Sequence, residues 1–542
     1  MSGYDSFVRD RLPPPEEQPE FLLLDYPERL NAAAELLKGG KPDDLAITNA
    51  HGRWTYAELD NFSGRIARLL VEEKGLAPGN RVLLRGPNGY TLFAAWLGVL
   101  KAGGVCVTTM PLLRPGEIAT VIDTAEISHA IVDSRFIGDF RAGADQTRWI
   151  KHLVKYDGDY GKGELETRCA VLEPLPSVDT GRDDPALIAF TSGTTGIPKG
   201  CVQFHRDILA PCDTFAKAHF RMGPGDIVMT SAPIAFTFGL GATLMFPLRF
   251  GAGTATIEQP SPPAMLEAIA KFGVTHLATA PTAYKAMLSQ PGLDEALRTL
   301  KCCLSAGEHL PKAVWEAWKE RTGISIVDGI GSTEMMHIFI SESGDAIRPG
   351  STGRVVPAYE ATVLDEDGQP MTEGEGRLAI KGPTGCRYLD DRRQLHYVKD
   401  GWNLTGDTYR KDADGYFWYV ARSDDMIVSS GYNIGAPEVE NALLAHPAVA
   451  ECAVIGVPCP ERGQKVKAFI VAAANVAPDD ALISELKNFV KATIAPYKYP
   501  REIEFVDALP KTATGKLRRV ELRNRETLRR PPKRLRLPAI QE

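Results

Sequence analysis

Apolar positions recur with two different periods along this chain, and the change of period marks its organisation. Tyr56, Leu59, Ile66 and Leu70 repeat at helical spacing behind Thr55-Tyr-Ala-Glu58, a capping box. A helix is predicted to open there and to end at Gly75. Pro78-Gly79 turns into a strand, Arg81–Arg85. A helix then runs through residues 92–100, and residues 105–108 and 130–133 read as further strands. Strand–helix alternation of this kind predicts a mostly parallel, doubly wound sheet. The alternation returns around residues 227–232, 266–272, 275–279, 300–305 and 324–328, so two α/β layers are expected between roughly residues 45 and 350.

After about residue 350 the period shortens. Residues 353–364 and 376–381 read as antiparallel strands between Gly and Asp turns, which predicts a small barrel-like sheet. Beyond residue 424 come a helix (437–445), two strands (449–457 and 464–472) and a second helix (480–494). That is an α+β unit of about a hundred residues, large enough to be a domain.

Composition narrows the class. A chain of 542 residues is too long for one ordinary core. A net charge of −7 argues against a general nucleic-acid binder. The charge is uneven: residues 516–536 carry ten Lys/Arg against Glu521 and Glu526. That run is either a solvated helical end or a contact for an anionic ligand tail or partner. Nine cysteines with no C-x-x-C pair read as reduced cytosolic thiols. No signal-peptide pattern opens the chain, and Lys101 cuts the most apolar window at half a membrane span. A cytoplasmic protein without membrane contact is therefore expected.

The candidate chemistry begins at Thr191-Ser-Gly-Thr-Thr-Gly-Ile-Pro-Lys-Gly200, which follows the buried-strand run at 186–190. Gly193, Gly196 and Gly200 let backbone N–H groups approach a ligand, and Ser192, Thr194 and Thr195 add hydroxyls. Lys199 adds a cation, so the loop suits a polyphosphate. It is not the common nucleotide loop, because Pro198 and Gly200 stand where that motif needs Gly and Ser/Thr.

Asp328-Gly-Ile-Gly-Ser-Thr-Glu334 reads as a loop at the C-terminal end of a strand, the place where open α/β sheets bind ligands. Glu334 suits Mg²⁺ and Thr333 a phosphate. The alternative is a glycine turn opening a helix capped by Ser332 or Thr333. Leu404-Thr-Gly-Asp407 reads as a tight turn whose carboxylate suits ribose hydroxyls, although Gly-Asp turns are common. Residues 420–434 combine Arg422, Asp424 and a Ser-Ser-Gly turn at a domain boundary, either a ligand-contacting hinge or a charged linker. Residues 509–518 form a Gly-containing turn that presents Lys516, either as a charge for a phosphate or as an ordinary basic-tail lysine. Glu334-x-x-His337 also has the spacing of half a di-iron helix motif, but a second pair is missing. Three G-x-G pairs lack the third glycine of a dinucleotide fold, and no G-x-S-x-G elbow is present.

Together, in this order and spacing, the five segments resemble the adenylate-forming enzymes, which include acyl- and aryl-CoA synthetases, carrier-protein adenylation domains and firefly-type luciferases. The resemblance covers nearly the whole chain. It implies a large N-terminal domain (1–423) of two doubly wound α/β subdomains and a small β-barrel, and a mobile C-terminal α+β domain (424–542). It further implies ATP, Mg²⁺ and coenzyme A as co-substrates and metal.

Position by position, the resemblance puts the ATP β- and γ-phosphates on Thr191, Ser192, Gly193, Thr194, Thr195, Gly196 and Lys199. It puts the adenine along Ala306, Gly307 and Glu308, and further ATP contacts on Asp328, Gly329, Ile330 and Gly331. Thr333 contacts phosphate, Glu334 supports Mg²⁺, and Asp407 and Arg422 hold the ribose. Lys516 bridges the substrate carboxylate and the α-phosphate, Asp424 is the hinge, and Ser430-Gly431-Tyr432 lines the pantetheine tunnel. The acyl pocket is Ala235, Phe236, Phe238, Ala306, Gly307, Ile330 and His337.

The pattern departs from the family at two places. An aromatic usually stands at Ile330, so the stacking contact on adenine does not carry over. Gly usually stands at Ala421, where the hinge begins.

The strings around His337, Glu308 and Ile434 resemble the benzoate-CoA ligase branch. Arg387-Tyr-Leu-Asp-Asp391 and Ala495-Pro-Tyr-Lys-Tyr-Pro-Arg501 are most similar to 2-aminobenzoate-CoA ligases. The expected reaction is activation of an aromatic acid, 2-aminobenzoate or benzoate, through an acyl-AMP to its CoA thioester, as in aromatic acid degradation. A CoA ligase for a small aliphatic or alicyclic acid, and an enzyme that loads a carrier protein, remain as alternatives. His337 either meets a ring substituent or is a packed histidine bonded to backbone. A monomer or homodimer is expected.

Overall fold

The computed structural model describes residues 4–191, 198–422, 425–429, 432–459, 462–474, 476–494, 496–511 and 517–528. The chain divides into two compact units, Met1–Tyr419 and Val420–Glu542.

The first unit is built on three sheets. One has six strands in the order His152–Tyr156, His129–Asp133, Arg81–Arg85, Val105–Thr109, Pro185–Thr191, Lys199–Phe204. Its first five strands are parallel, and Lys199–Phe204 returns antiparallel at the edge. The parallel strands Arg81–Arg85, Val105–Thr109 and His129–Asp133 are buried along their length, as strands covered on both faces must be. Helix Tyr90–Lys101 is buried from Thr91 onward, so the most apolar window of the chain is a core helix. Among the described residues no helix is long and apolar enough to cross a membrane.

The second layer is a nine-stranded sheet running from Arg354–Val355 at one edge to Gly52–Thr55 at the other. Its centre is parallel: Ile326–Gly331, Cys302–Ser305, His276–Thr279, Ile227–Thr230 and Gly253–Ala255. The capping box closes as the sequence predicts. Thr55 Oγ1 accepts from Glu58 N at 3.2 Å, and Thr55 N donates to Glu58 Oε2 at 2.7 Å, at the start of helix Tyr56–Arg68. Replacing Thr55 with alanine is expected to cost about 1 kcal/mol, read as a lower urea midpoint with an unchanged slope.

The third sheet is antiparallel and includes Glu360–Leu364, Gly374–Lys381 and Trp402–Lys411. Two expectations are corrected here and in the second layer. Residues 328–331 are not a loop, because strand Ile326–Gly331 continues through them. Its first half pairs in parallel with Cys302–Ser305, and its second half pairs antiparallel with Ile338–Ser341. Residues 404–407 are not a tight turn but part of strand Trp402–Lys411. The register against Gly374–Lys381 slips there, with Gly406 at φ +76°, so Asp407 sits at a bulge. A bulge inserts unpaired residues that re-aim a side chain without ending the strand.

The second unit packs helices Ala436–Leu444 and Asp480–Thr493 on a sheet whose centre is the antiparallel pair Val449–Cys459 and Gly463–Ala472. Strands Met426–Ser429 and Tyr432–Gly435 pair as a hairpin, and Glu502–Phe505 adds in parallel. Ile427, Val439, Leu443, Val454, Ile470 and Leu486 are central to its core.

Candidate active site

Two edges of the first unit bring Lys199 and Glu334 together. Strands Pro185–Thr191 and Lys199–Phe204 are in register with Thr191 opposite Lys199. The expected phosphate-loop residues Ser192, Gly193, Thr194, Thr195 and Gly196 fall between them, outside the described residues. Thr191 Oγ1 is buried with no hydrogen-bond partner among the described residues.

From the second layer, Gly331 leads into a turn carrying Ser332, Thr333 and Glu334. No helix follows. Met336 takes φ +65°, His337 N donates to Met335 O at 2.8 Å, and the chain returns as strand Ile338–Ser341. The helix alternative for this segment is thereby removed, and with it the helical spacing of Glu334 and His337. Outside groups hold the turn: Gln203 Nε2 donates to the carbonyls of Thr333 (3.0 Å) and Glu334 (3.1 Å), and Thr384 Oγ1 donates to Met335 O at 2.7 Å.

Glu334 and Lys199 meet across these edges. Lys199 Nζ lies 3.9 Å from Glu334 Oε1 and donates to the Tyr388 hydroxyl at 2.7 Å, and that hydroxyl donates to Glu334. Burial, and then the Glu334 charge, push the Tyr388 phenol far up, so it stays protonated. Sequence reasoning assigned no role to Tyr388, Gln203 or Thr384. A lone Tyr, Gln or Thr carries no spacing signal, and Tyr388 entered only as part of the stretch 387–391.

Of the residues expected at the adenine, Ala306 and Gly307 leave the C-terminal end of strand Cys302–Ser305, with Gly307 at φ +89°. Asp328 is opposite Ser305 on the neighbouring strand. The Asp328 side chain is partly exposed, but its Oδ1 is sealed and unpartnered among the described residues, and burial raises its pKa. Asp407 is buried, with its N–H donating to Thr405 Oγ1 at 3.2 Å. Ile330 packs partly against the main core and faces Ile340 across the strand pair.

The expected acyl-pocket residues Ala235, Phe236 and Phe238 are half-buried around the start of helix Thr237–Leu240. His337 is buried among aromatic rings: Phe246 edge-on at 4.6 Å, Phe215 stacked at 5.5 Å and Phe238 at 5.8 Å. Its Nε2 lies 3.4 Å from the Phe238 carbonyl, so Nε2 carries the proton. Nδ1 is then a sealed acceptor with no donor among the described residues. Burial drives the His337 pKa down to about 3. The unfolded histidine binds its proton near 6.5, so stability falls as pH drops from there towards 3. Removing the imidazole as His337→Phe is therefore expected to shift the stability difference in the variant's favour as pH falls through that window, read by urea unfolding at pH 7 and pH 4.5.

In the second unit, Arg422 ends strand Phe417–Arg422 and is exposed. Asp424, Ser430, Gly431 and Lys516 lie outside the described residues, and Tyr432 begins strand Tyr432–Gly435. The base of the Lys516 segment is described: Lys511 bridges Leu517, and Arg518 N donates to Pro510 O at 2.8 Å.

Residues 37–387 match the model of the AMP-binding enzyme family, and residues 438–516 match that of the AMP-binding enzyme C-terminal domain. The chain is 36% identical to the benzoate–CoA ligase of Thauera aromatica over 92% of its own length and 96% of that protein's. Its fold superposes on the anthranilate CoA ligase AuaEII in complex with anthranoyl-AMP with a TM-score of 0.88, at 33% identity over 93% of this chain and 98% of that one. A benzoate CoA ligase from Burkholderia xenovorans LB400 superposes with a TM-score of 0.83, at 34% identity over 91% of this chain and the whole of that one.

Proposed function

The chain belongs to the AMP-binding enzyme family, and on that premise we propose that its acid substrate is a small aromatic carboxylate, 2-aminobenzoate ahead of benzoate. It is an acid–thiol ligase that uses ATP, Mg²⁺ and CoA and works through an acyl-adenylate.

One observation carries the aromatic reading. The segments assigned to the acyl pocket combine half-buried Phe236 and Phe238 with a neutral, ring-packed His337. Stacked and edge-on rings favour a flat ligand over an alkyl chain. The Nδ1 of His337 would be satisfied by a ligand N–H that reaches it between the surrounding rings, and a 2-amino group supplies one. The likeness to ligases named for benzoate and anthranilate supports the same class.

In this reading the phosphate loop and Lys199 take the two phosphates that leave, and Asp407 and Arg422 take the ribose. Glu334 fits a magnesium site, since its Oε2 has no hydrogen bond among the described residues. Mg²⁺ is commonly held by one or two carboxylates together with substrate phosphates, and Glu334 would supply such a carboxylate. When bound, the ion neutralises charge on the phosphate oxygens. The substrate carboxylate is ionised at pH 7 and attacks the α-phosphorus without a general base. Lys516 stabilises the charge that builds there. The hinge at Asp424 then brings the Ser430–Tyr432 segment in for the thiol step.

AMP release dependent on both ATP and CoA, measured against 2-aminobenzoate, benzoate, cyclohexanecarboxylate and acetate, tests the reading. The highest kcat/KM is expected with the two aromatic acids, and a preference for acetate or cyclohexanecarboxylate would overturn it. AMP release without CoA turnover would point to a carrier-protein partner. His337→Phe is expected to lower kcat/KM for 2-aminobenzoate about tenfold relative to benzoate, the worth of one buried hydrogen bond.

A further inference from the structure

We propose that Tyr388 is a positioning residue of the triphosphate and magnesium site, which keeps Lys199 and Glu334 from closing on each other. The inference rests on the assignment of Lys199 to phosphate and of Glu334 to the metal.

The geometry is that of a spacer. The phenol oxygen accepts from Lys199 at 2.7 Å and donates to Glu334, while Nζ and Oε1 stand 3.9 Å apart. All three groups are poorly hydrated: Tyr388 is 1% and Glu334 7% exposed, and the Lys199 side chain is 18% exposed. At low local dielectric an ammonium and a carboxylate this close attract strongly. Once fully paired, each is costly to separate, because separation leaves a buried charge unpaired. The interposed phenol satisfies one valence of each charge with a neutral group. Lys199 then gives up only a phenol to take a phosphate oxygen, and Glu334 only a phenol to take the metal. The Lys199 ammonium also sits 4.5 Å from the centre of the Tyr388 ring, which fixes its approach.

The phenol is itself held rigidly. Val202 N donates to Arg387 O at 2.8 Å, and Leu389 N donates to Gly200 O at 2.9 Å, so residues 387–389 are pinned to strand Lys199–Phe204 on both sides of Tyr388. Tyr388 N donates to Gln394 Oε1 at 3.0 Å, and the Tyr397 ring packs edge-on at 5.8 Å. This gives a purpose to the Arg387–Asp391 stretch, which the reaction scheme otherwise leaves unused.

The test is calorimetric binding of ATP to the full-length enzyme at several Mg²⁺ concentrations, with AMP as control. AMP lacks the phosphates that Lys199 serves. In Tyr388→Phe the spacer is gone and the ion pair closes. MgATP affinity is expected to fall about tenfold or more, and the Mg²⁺ concentration for half-maximal ATP affinity to rise, with AMP affinity and the melting temperature of the nucleotide-free enzyme unchanged. In a Lys199→Ala background the same substitution should have no further effect on MgATP. Tyr388→His, which keeps one donor and one acceptor, should recover part of the loss.

Unchanged MgATP affinity in Tyr388→Phe would overturn the proposal. So would an equal loss of AMP affinity, or a drop in melting temperature with no recovery in Tyr388→His, since either marks a merely structural role. If Lys199→Ala and Glu334→Gln leave MgATP binding untouched, the underlying site assignment fails instead, and the proposal with it.

Discussion

Replacing Lys516 with alanine is expected to slow acyl-adenylate formation by about three orders of magnitude, while thioester formation from supplied acyl-adenylate and CoA proceeds at the wild-type rate. A fixed charge aimed at a transferring phosphoryl group contributes on the order of 10²–10³ in rate, and only in the step where that charge develops. The residues on either side of it are anchored within their own unit. Leu509 and Leu522 are buried in a small core with Phe469, and Leu517 packs against it. Lys511 Nζ pairs with Glu451 at 2.7 Å, and Arg519 Nη2 bonds both oxygens of Glu440 at 2.8 and 2.6 Å. The base of the segment is therefore anchored, and trimming the Lys516 side chain should not disturb it. Pyrophosphate exchange reads the first step, and a thiol-trapping assay with acyl-adenylate reads the second. Equal loss in both would remove Lys516 from the α-phosphate.

Replacing Arg387 with leucine is expected to destabilise the first unit by about 3–5 kcal/mol. Arg387 and Asp207 are both fully buried and joined by a bond of 2.8 Å from Nη1 to Oδ2. The guanidinium lies between the rings of Phe21 and Phe204, each 4.2 Å away. Asp207 Oδ2 also accepts from Phe204 N at 2.9 Å, at the start of helix His205–Pro211. Removing the arginine leaves the buried carboxylate with the Phe204 N–H and with Arg206, whose Nη1 stands 3.9 Å from Oδ1, and the cost is mostly that of losing its hydrogen-bonded partner charge. Pairing the change with Asp207→Leu, which removes the other charge, should recover a large part of the loss. Urea unfolding of both variants decides it. A loss under 1 kcal/mol in the single variant would mean that water or neighbouring groups already solvate the pair.

Much of the fold is legible in the chain because its signals are local. The capping box at Thr55 closes on Glu58 three residues away. The apolar runs at 82–84 and 186–189 become buried strand segments because no polar residue falls within them. The errors also have local causes. Asp-Gly-Ile-Gly at 328–331 and Thr-Gly-Asp at 405–407 carry turn residues, and composition assigned turns. The sheet overrode that preference by pairing the first with Ile338–Ser341 and by absorbing the second as a bulge against Gly374–Lys381. Propensity is a weak prior where neighbouring strands pair with the backbone on either side of the segment.

The sequence by itself determined the family and the layered α/β architecture, and it supplied the residues proposed for phosphate, metal and ribose. Those depend on short strings whose chemistry is fixed by spacing of a few residues. Only the tertiary structure decided how these groups restrain one another. Glu334 faces Lys199 from 135 positions away and is bridged by Tyr388, which is 189 positions from Lys199 and 54 from Glu334. His337 is neutral because rings from Phe215, Phe238 and Phe246 shut out water. Charge state and hydrogen-bond partnership are properties of the space around a side chain, and the fold creates that space by bringing distant segments together.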